Sequence, residues 1–214
     1  DKGEYFACVE DDVDQVQSDI ALMDQWSKDA SERMKIKIDQ RVLTDMLTDV
    51  SALNKGQTAG AISGNIDLGV AGTPEALTKS NVIDLLINMG TVLDEANAPE
   101  QDRFVIIPAK MAGYIKQSDL KDASITGDGS SPLRNGRLGM IDRFTVFVSH
   151  NLYKNGSEFS VIGGHKMGFT FASQMTNMET IRSETTFGNI IRGLQVYGYK
   201  VTKPEALATA IVTL

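Results

Sequence analysis

Residues that commonly perform catalysis are scarce in this chain of 214 residues, which has two histidines and one cysteine. His165 lies in the Gly-Gly-His-Lys sequence of residues 163–166, which partly matches a phosphate-binding loop. The spacing G-x-x-x-x-G-K-[ST] and the long helix that should follow it are missing. His165 is therefore expected to be a surface or turn histidine. With His150 as the second histidine, the chain has too few for most metal sites or catalytic triads.

Cysteine and carboxylate chemistry is equally poorly supported. Cys8 precedes a run of acidic residues, whereas a nucleophilic thiol needs positive neighbours. Cys8 is expected to be structural or incidental, and a lone cysteine fits a reducing cytoplasm. The carboxylates of Asp11, Asp12 and Asp14 would not converge on one point along a helix, and the sequence has no calcium-loop motif. We expect no metal site, no cofactor and no enzymatic activity.

The composition is that of an ordinary globular protein, with 42% hydrophobic and 23% charged residues. The formal net charge of −7 argues against a nucleic-acid-binding surface, because phosphate contacts require clustered Lys and Arg. No stretch approaches 18 uninterrupted apolar residues, so no membrane span is expected. The chain begins Asp1-Lys2-Gly3 without a methionine, and we expect that sequence upstream of Asp1 has been removed.

A long helix is the clearest predicted element. Residues 4–55 contain no glycine or proline, and apolar residues recur from Val13 at a mean spacing of about 3.6, the helical repeat. This predicts one helix over Asp11–Val50, about 60 Å long at 1.5 Å per residue. The alternative is two shorter helices with a break near Lys28–Lys37. The residues expected on the buried stripe of this helix are Val16, Ile20, Met23, Trp26, Met34 and Ile38.

The remainder of the chain predicts an α+β fold. A second helix is predicted at Asn81–Glu95, and a short one follows Pro108. Asn135-Gly136 is the strongest hairpin-turn signal, because both turn positions need a positive φ. Strands are predicted at Phe104–Ile107, 143–149, Glu158–Ile162, Met178–Arg182, Asn189–Val201 and Ala206–Leu214.

The long helix and the C-terminal strands are distant in sequence but similar in length, so we expect them to pack together. This predicts two lobes, one built from residues 1–58 and 183–214 and the other from residues 59–182. Met34 and Ile38 should face the strand around Leu194–Tyr199. Ile38→Asp should therefore cost several kcal/mol of stability, whereas Lys37→Asp, on a solvated face, should cost little.

Four segments, in this order, resemble the major capsid proteins of tailed bacteriophages, which have the Hong Kong 97-like fold. The first, DDVDQVQSDIALMDQWSKDASERMKIKIDQRVLTDML, is similar to their long spine helix. LDEANAPEQDRFVIIPAKMAGYIKQSD is similar to a helix end followed by a strand that stops at proline. LRNGRLGMIDRFTVFVSHNL and GGHKMGFTFASQMTNMETIRSETTFGNIIRGLQVYGYKVTKPEAL resemble two further segments, the second ending in the family's closing strand.

The resemblance implies a peripheral lobe, made by the spine helix and the C-terminal strand, and a mixed axial lobe pointing at the centre of a five- or six-subunit ring. It implies a non-enzymatic subunit that self-assembles into an icosahedral shell around double-stranded DNA. The implied location is the virion, after synthesis in the bacterial host cytoplasm, with scaffolding and portal proteins as partners. The family's N-terminal arm and extended loop would precede Asp1, so this fragment should stay monomeric or form small oligomers.

Two other functions stay open at this point. An encapsulin, the shell of a protein-filled compartment, has the same fold as the capsid proteins. A small cytoplasmic α+β enzyme belongs to a different class. It would elute as a small oligomer, whereas a shell protein forms very large particles.

The charge predicts that the protein does not bind DNA specifically. With a net charge of −7 and no basic stripe in the sequence, affinity for short duplex DNA should be weak and vanish at physiological salt. Fluorescence anisotropy with a labelled duplex at low and physiological salt measures this. Tight binding that survives physiological salt would contradict the prediction.

Overall fold

The computed structural model describes residues 2–11, 22–118, 139–185 and 187–214, with their side chains except those of 22–24 and 175–177. The helices in this part of the chain are α1 (Leu22–Asp49), α2 (Val82–Glu95) and α3 (Ala109–Gln117). The strands there are β1 (Lys2–Asp11), β2 (Glu75–Ala76), β3 (Arg103–Ile107), β4 (Met140–Ile141), β5 (Phe144–Val148), β6 (Lys154–Asn155), β7 (Glu158–His165), β8 (Phe169–Arg182), β9 (Gly188–Val201) and β10 (Leu207–Thr213).

The chain folds as two compact units. Unit 1 comprises Asp1–Val42 and Thr170–Lys200, and unit 2 comprises Leu43–Phe169 and Val201–Leu214. These bounds differ from those of the predicted lobes. In particular, β10 belongs to unit 2 because it pairs with β7 along its whole length, whereas the sequence placed it with the long helix.

Unit 1 contains a three-stranded sheet in the order β1-β9-β8. β1 pairs antiparallel with β9, from Lys2 opposite Tyr197 to Asp11 opposite Gly188. β1 was not predicted. The prediction that the long helix begins at Asp11 is wrong, because Asp11 is the last residue of a strand. Residues 12–21, between β1 and α1, lie outside the described residues.

α1 is unbroken from Leu22 to Asp49, about 42 Å at 1.5 Å per residue, which excludes a break near Lys28–Lys37. The contact predicted between the helix and the C-terminal strand is present. Met34 and Ile38 are buried against Tyr197 of β9. The partly buried residues around them are Phe6, Val42 and Tyr199. Of the described helices, none is both long and apolar enough to cross a membrane.

The other residues of the predicted stripe have different outcomes. Val16 and Ile20 lie outside the described residues, and Met23 lies in α1 with its side chain outside the description. Trp26 is 37% exposed, which corrects the predicted stripe at this position. A step of four residues turns about 40° beyond a full turn of the helix. Three such steps separate Trp26 from Ile38, so the two side chains lie about 120° apart around the helix axis.

Unit 2 is organised around a seven-stranded sheet in the order β2-β10-β7-β3-β5-β4, with β6 paired to β7. β3 and β5 run parallel, whereas β7 is antiparallel to both β3 and β10. α2 buries Val82, Leu86 and Met89 in the core of this unit, and α3 adds Met111 and Ile115. The predicted hairpin turn at Asn135-Gly136 lies outside the described residues.

Local backbone chemistry sets the ends of these elements. α2 ends at Glu95, and two residues later Asn97 adopts the left-handed conformation (φ 54°) that often follows a helix. Pro108 ends β3 and is the N-cap of α3, where its missing N–H costs no helical hydrogen bond. The predicted order of a strand, a proline and a helix is therefore present.

A buried and an exposed isoleucine on α1 give a matched pair of substitutions that measures how much the packing of this helix on the β1-β9-β8 sheet contributes to stability. Ile38 is buried, whereas Ile36, on the same helix, is 46% exposed. Ile38→Asp should lower the free energy of unfolding by about 3 kcal/mol or more, and Ile36→Asp by less than about 1 kcal/mol. Equal urea midpoints for the two variants would show that the helix does not depend on this face.

Candidate functional site

The histidine and cysteine side chains considered as candidate catalytic or metal-binding groups do not form such a site in the described part of the chain. The described part of the chain has no group of three or more His, Cys, Asp or Glu side chains placed to hold a metal ion. His165 accepts a hydrogen bond at Nδ1 from the N–H of Met167 (3.1 Å) and so closes a turn. Cys8 is half-buried in β1 opposite Ile191. His150 lines a surface cleft of unit 2.

Arg103, the first residue of β3, has a buried side chain in unit 2 and is 1% exposed. Its Nη2 lies 2.7 Å from Oδ1 of Asp94 and also donates to the carbonyl of Ala98 (2.7 Å). Its Nε donates to the carbonyl of Pro99 (2.8 Å), and its Nη1 to that of Gly90 (3.4 Å). The buried cation is thus bonded to one carboxylate and to three carbonyls, that of Gly90 within α2 and those of Ala98 and Pro99 beyond its end.

A second arginine shares the same carboxylate. Arg143, which precedes β5, donates from Nη2 to Oδ2 of Asp94 (2.8 Å) and lies 3.4 Å from Glu100. Asp142 and Arg143 both have positive φ angles, 43° and 65°. The Asp94 carboxylate therefore joins the end of α2 to the starts of the parallel strands β3 and β5.

Asp94 favours folding through its charge. Burial by itself raises the pKa of Asp94, but hydrogen bonds from Arg143 and Arg103 outweigh it and hold the pKa below its ordinary value. Since the folded pKa is lower than the unfolded one, the stabilisation is present at neutral pH. It is lost as the pH falls through the lowered pKa.

The neighbouring carboxylates fix two more segments of unit 2. Oε2 of Glu95 accepts hydrogen bonds from the N–H groups of Ile62 (2.8 Å) and Ser63 (3.0 Å), and these bonds lower the pKa of Glu95. Asp102 pairs with Lys166 (2.9 Å), in the turn after β7. Residues 94–103 therefore connect α2, β3, β5, β7 and the loop before α2.

Unit 1 has its own buried acid, Glu4, on the inner face of β1. Its carboxylate lies 2.7 Å from Nζ of Lys37 and 3.1 Å from Nη1 of Arg41, both on α1. The hydrogen bond from Lys37 is the main cause of its lowered pKa. Lys37 is solvent-exposed, as predicted, but Lys37→Asp would place a second carboxylate beside Glu4, so we expect a larger cost than the sequence alone indicated.

Sequence reasoning missed Glu4, Asp94, Arg103 and Arg143 as organising residues. Asp94 and Arg103 lie within LDEANAPEQDRF, a segment that the sequence analysis used only for resemblance. The available signal was that Arg103 alternates with Val105 and Ile107 on one strand face, and a buried charge needs a partner. Glu4 carried no such signal, because KGEYFACVED has apolar residues on both strand faces and only its burial alternates.

One family model matches nearly the whole described chain, and solved structures share its fold. The family model described as phage capsid protein matches residues 2–210. A chain from Mycobacterium phage Che8 has 24% identity and a TM-score of 0.75, over 99% of this chain and 70% of that one. The capsid structure of Cyanophage P-SCSP1u has 15% identity and a TM-score of 0.73, over 100% and 72%.

An encapsulin also shares the fold. The SrpI encapsulin of Synechococcus elongatus PCC 7942 has 10% identity and a TM-score of 0.57, over 99% of this chain and 73% of that one. No curated protein sequence matches the chain.

The two arginines on Asp94 give a test of the buried cluster. Arg103→Met should lower the free energy of unfolding by about 3 kcal/mol or more, because it leaves three carbonyls and one carboxylate oxygen without their donor. Arg143→Met removes a half-exposed partner of the same carboxylate and should cost about 1 kcal/mol or less. Urea unfolding of both variants measures the difference, and equal losses would show that burial of Arg103 adds nothing.

Proposed function

Because the chain belongs to the phage capsid protein family, we propose that it is the structural subunit of an icosahedral bacteriophage head. In this head, rings of five and six copies would enclose double-stranded DNA. The family match over residues 2–210 is the observation that carries the proposal. The fold supports it, since the chain has the Hong Kong 97-like α+β architecture of solved phage capsids. The protein is a capsid shell subunit and a component of the virion.

The charge distribution supports a wall that encloses DNA without binding it. The net charge is −7, and the arginines described above neutralise protein carboxylates rather than forming a basic stripe. Arg41 pairs with Glu4, and Arg103 and Arg143 pair with Asp94. A negative net charge repels phosphates on average, which is compatible with a shell that holds DNA by enclosure.

The proposed role is mechanical rather than catalytic. The charged side chains within residues 94–103 hold helix and strand ends together, and the Glu4 carboxylate joins a strand to α1. Such contacts would resist deformation of a shell subunit under internal pressure. We propose scaffolding and portal proteins as further partners in head assembly, and synthesis in the cytoplasm of the bacterial host.

The assembly state of the complete natural protein tests the proposal. It should form particles of many copies by analytical ultracentrifugation. Particles purified from infected cells should contain this protein as their most abundant component and enclose double-stranded DNA. Particles filled with a protein cargo would favour an encapsulin-type compartment, the fold of which is similar. A small oligomer at all concentrations would contradict a shell role and favour a small enzyme.

A further inference from the structure

The loop before α2 presents an isoleucine to solvent on a firmly held backbone. Ile62 is 84% exposed, while the Glu95 carboxylate binds its N–H group and both the N–H and the hydroxyl of Ser63. Gly60 has a φ of 107°, and a Cβ there would lie 2.8 Å from the same carboxylate oxygen. Ala59 and Ile66 exchange backbone hydrogen bonds at the base of the turn. An apolar side chain on a rigid turn loses little entropy when a partner covers it.

A cleft of about 240 Å³ lies elsewhere on unit 2. Pro108, Leu152 and Phe159 give it apolar walls. This volume is smaller than the sites that take drug-sized ligands, about 300 Å³ and above, and suits a single side chain. Its remaining lining residues are Ala109, Lys110, Ser149, His150 and Lys154.

The turn and the cleft lie at opposite ends of the same strands. Glu95 ends α2 beside Asp94, which binds Arg103 at the start of β3. Pro108 and Ser149, which line the cleft, directly follow the last residues of the parallel strands β3 and β5. A strand of five residues is about 17 Å long, so the residues that anchor the turn and those that line the cleft form separate patches of one copy.

The two features also differ in charge. The Glu95 carboxylate lies directly behind Ile62, with 2.8 Å between Oε2 and the Ile62 nitrogen. None of the described residues that line the cleft is acidic, whereas Lys110, His150 and Lys154 are basic. The ammonium of Lys154 lies 5.0 Å from the centre of the Phe159 ring, at the apolar wall. Ile62, with the Glu95 carboxylate behind it, is therefore complementary in polarity and charge to the apolar cleft with its basic lining residues.

We propose that Ile62 of one copy inserts into the Pro108–Leu152–Phe159 cleft of the next copy around a ring. The proposal rests on the proposed function, which supplies the second copy. Two different patches at opposite ends of one unit make a head-to-tail contact, and such contacts close into rings when the rotation permits. A self-complementary two-fold contact would instead bring the same patch of both copies together.

Disulfide formation between copies tests the contact directly. In the complete natural protein carrying Cys8→Ser, the pair Ile62→Cys and Ala109→Cys should give, after oxidation of assembled particles, a ladder of linked copies on a non-reducing gel. Each single cysteine variant should stay monomeric on that gel. The matched control pairs Ala109→Cys with Ile87→Cys, since Ile87 is also an exposed isoleucine of unit 2, and should give no ladder.

Charge insertion gives a second readout that does not depend on the Cys8 substitution. Ile62→Asp should lower the yield of particles at least about tenfold, whereas Ile87→Asp should leave it close to that of the unsubstituted protein. Circular dichroism verifies that both variants fold. The contact alone would be overturned if the unsubstituted protein forms particles, the cysteine pair gives no ladder, and the two aspartate variants give equal yields of particles. Absence of particles from the unsubstituted protein would contradict the proposed function, and the contact with it.

Discussion

The fold of unit 2 depends on the burial of one cation, the guanidinium of Arg103. A buried arginine is stable only when each of its donors has an acceptor, and here the acceptors are Asp94 and the carbonyls of Gly90, Ala98 and Pro99. These groups lie near the end of α2 and in the connection to β3, so satisfying the cation fixes that connection. The same carboxylate holds Arg143 at the start of β5. The starts of two inner strands and the end of a helix are therefore positioned by one charge network.

Unit 1 uses charge differently. The inner face of β1 carries Glu4, which is 8% exposed, whereas Tyr5 and Val9 on the other face are exposed. Lys37 and Arg41 of α1 meet the Glu4 carboxylate, so an ion pair reinforces the apolar contact of Met34 and Ile38 with Tyr197. Helix and sheet are thereby held by two kinds of contact. A charge-reversing change on the helix and an apolar truncation should both loosen this unit.

The sequence predicted the elements with strong periodicity and missed those defined by pairing. α2, β3, α3 and β9 follow from helical spacing, proline and alternation, because these patterns are local. β1 was missed because its buried residues include acids, which acquire partners only from distant segments. Trp26 was misplaced because a run of four-residue steps winds around a helix. The ion pairs joined residues far apart in the chain, such as Glu4 with Lys37, which no spacing rule detects.

A tile of this kind is defined by how its copies meet, and electron cryomicroscopy of the assembled complete protein observes that arrangement directly. We expect an icosahedral shell whose repeating density, in rings of five and six copies, accommodates both units, with α1 as one unbroken helix from Leu22 to Asp49. A reconstruction showing a small closed oligomer, or a shell whose repeating density does not fit these two units, would contradict it.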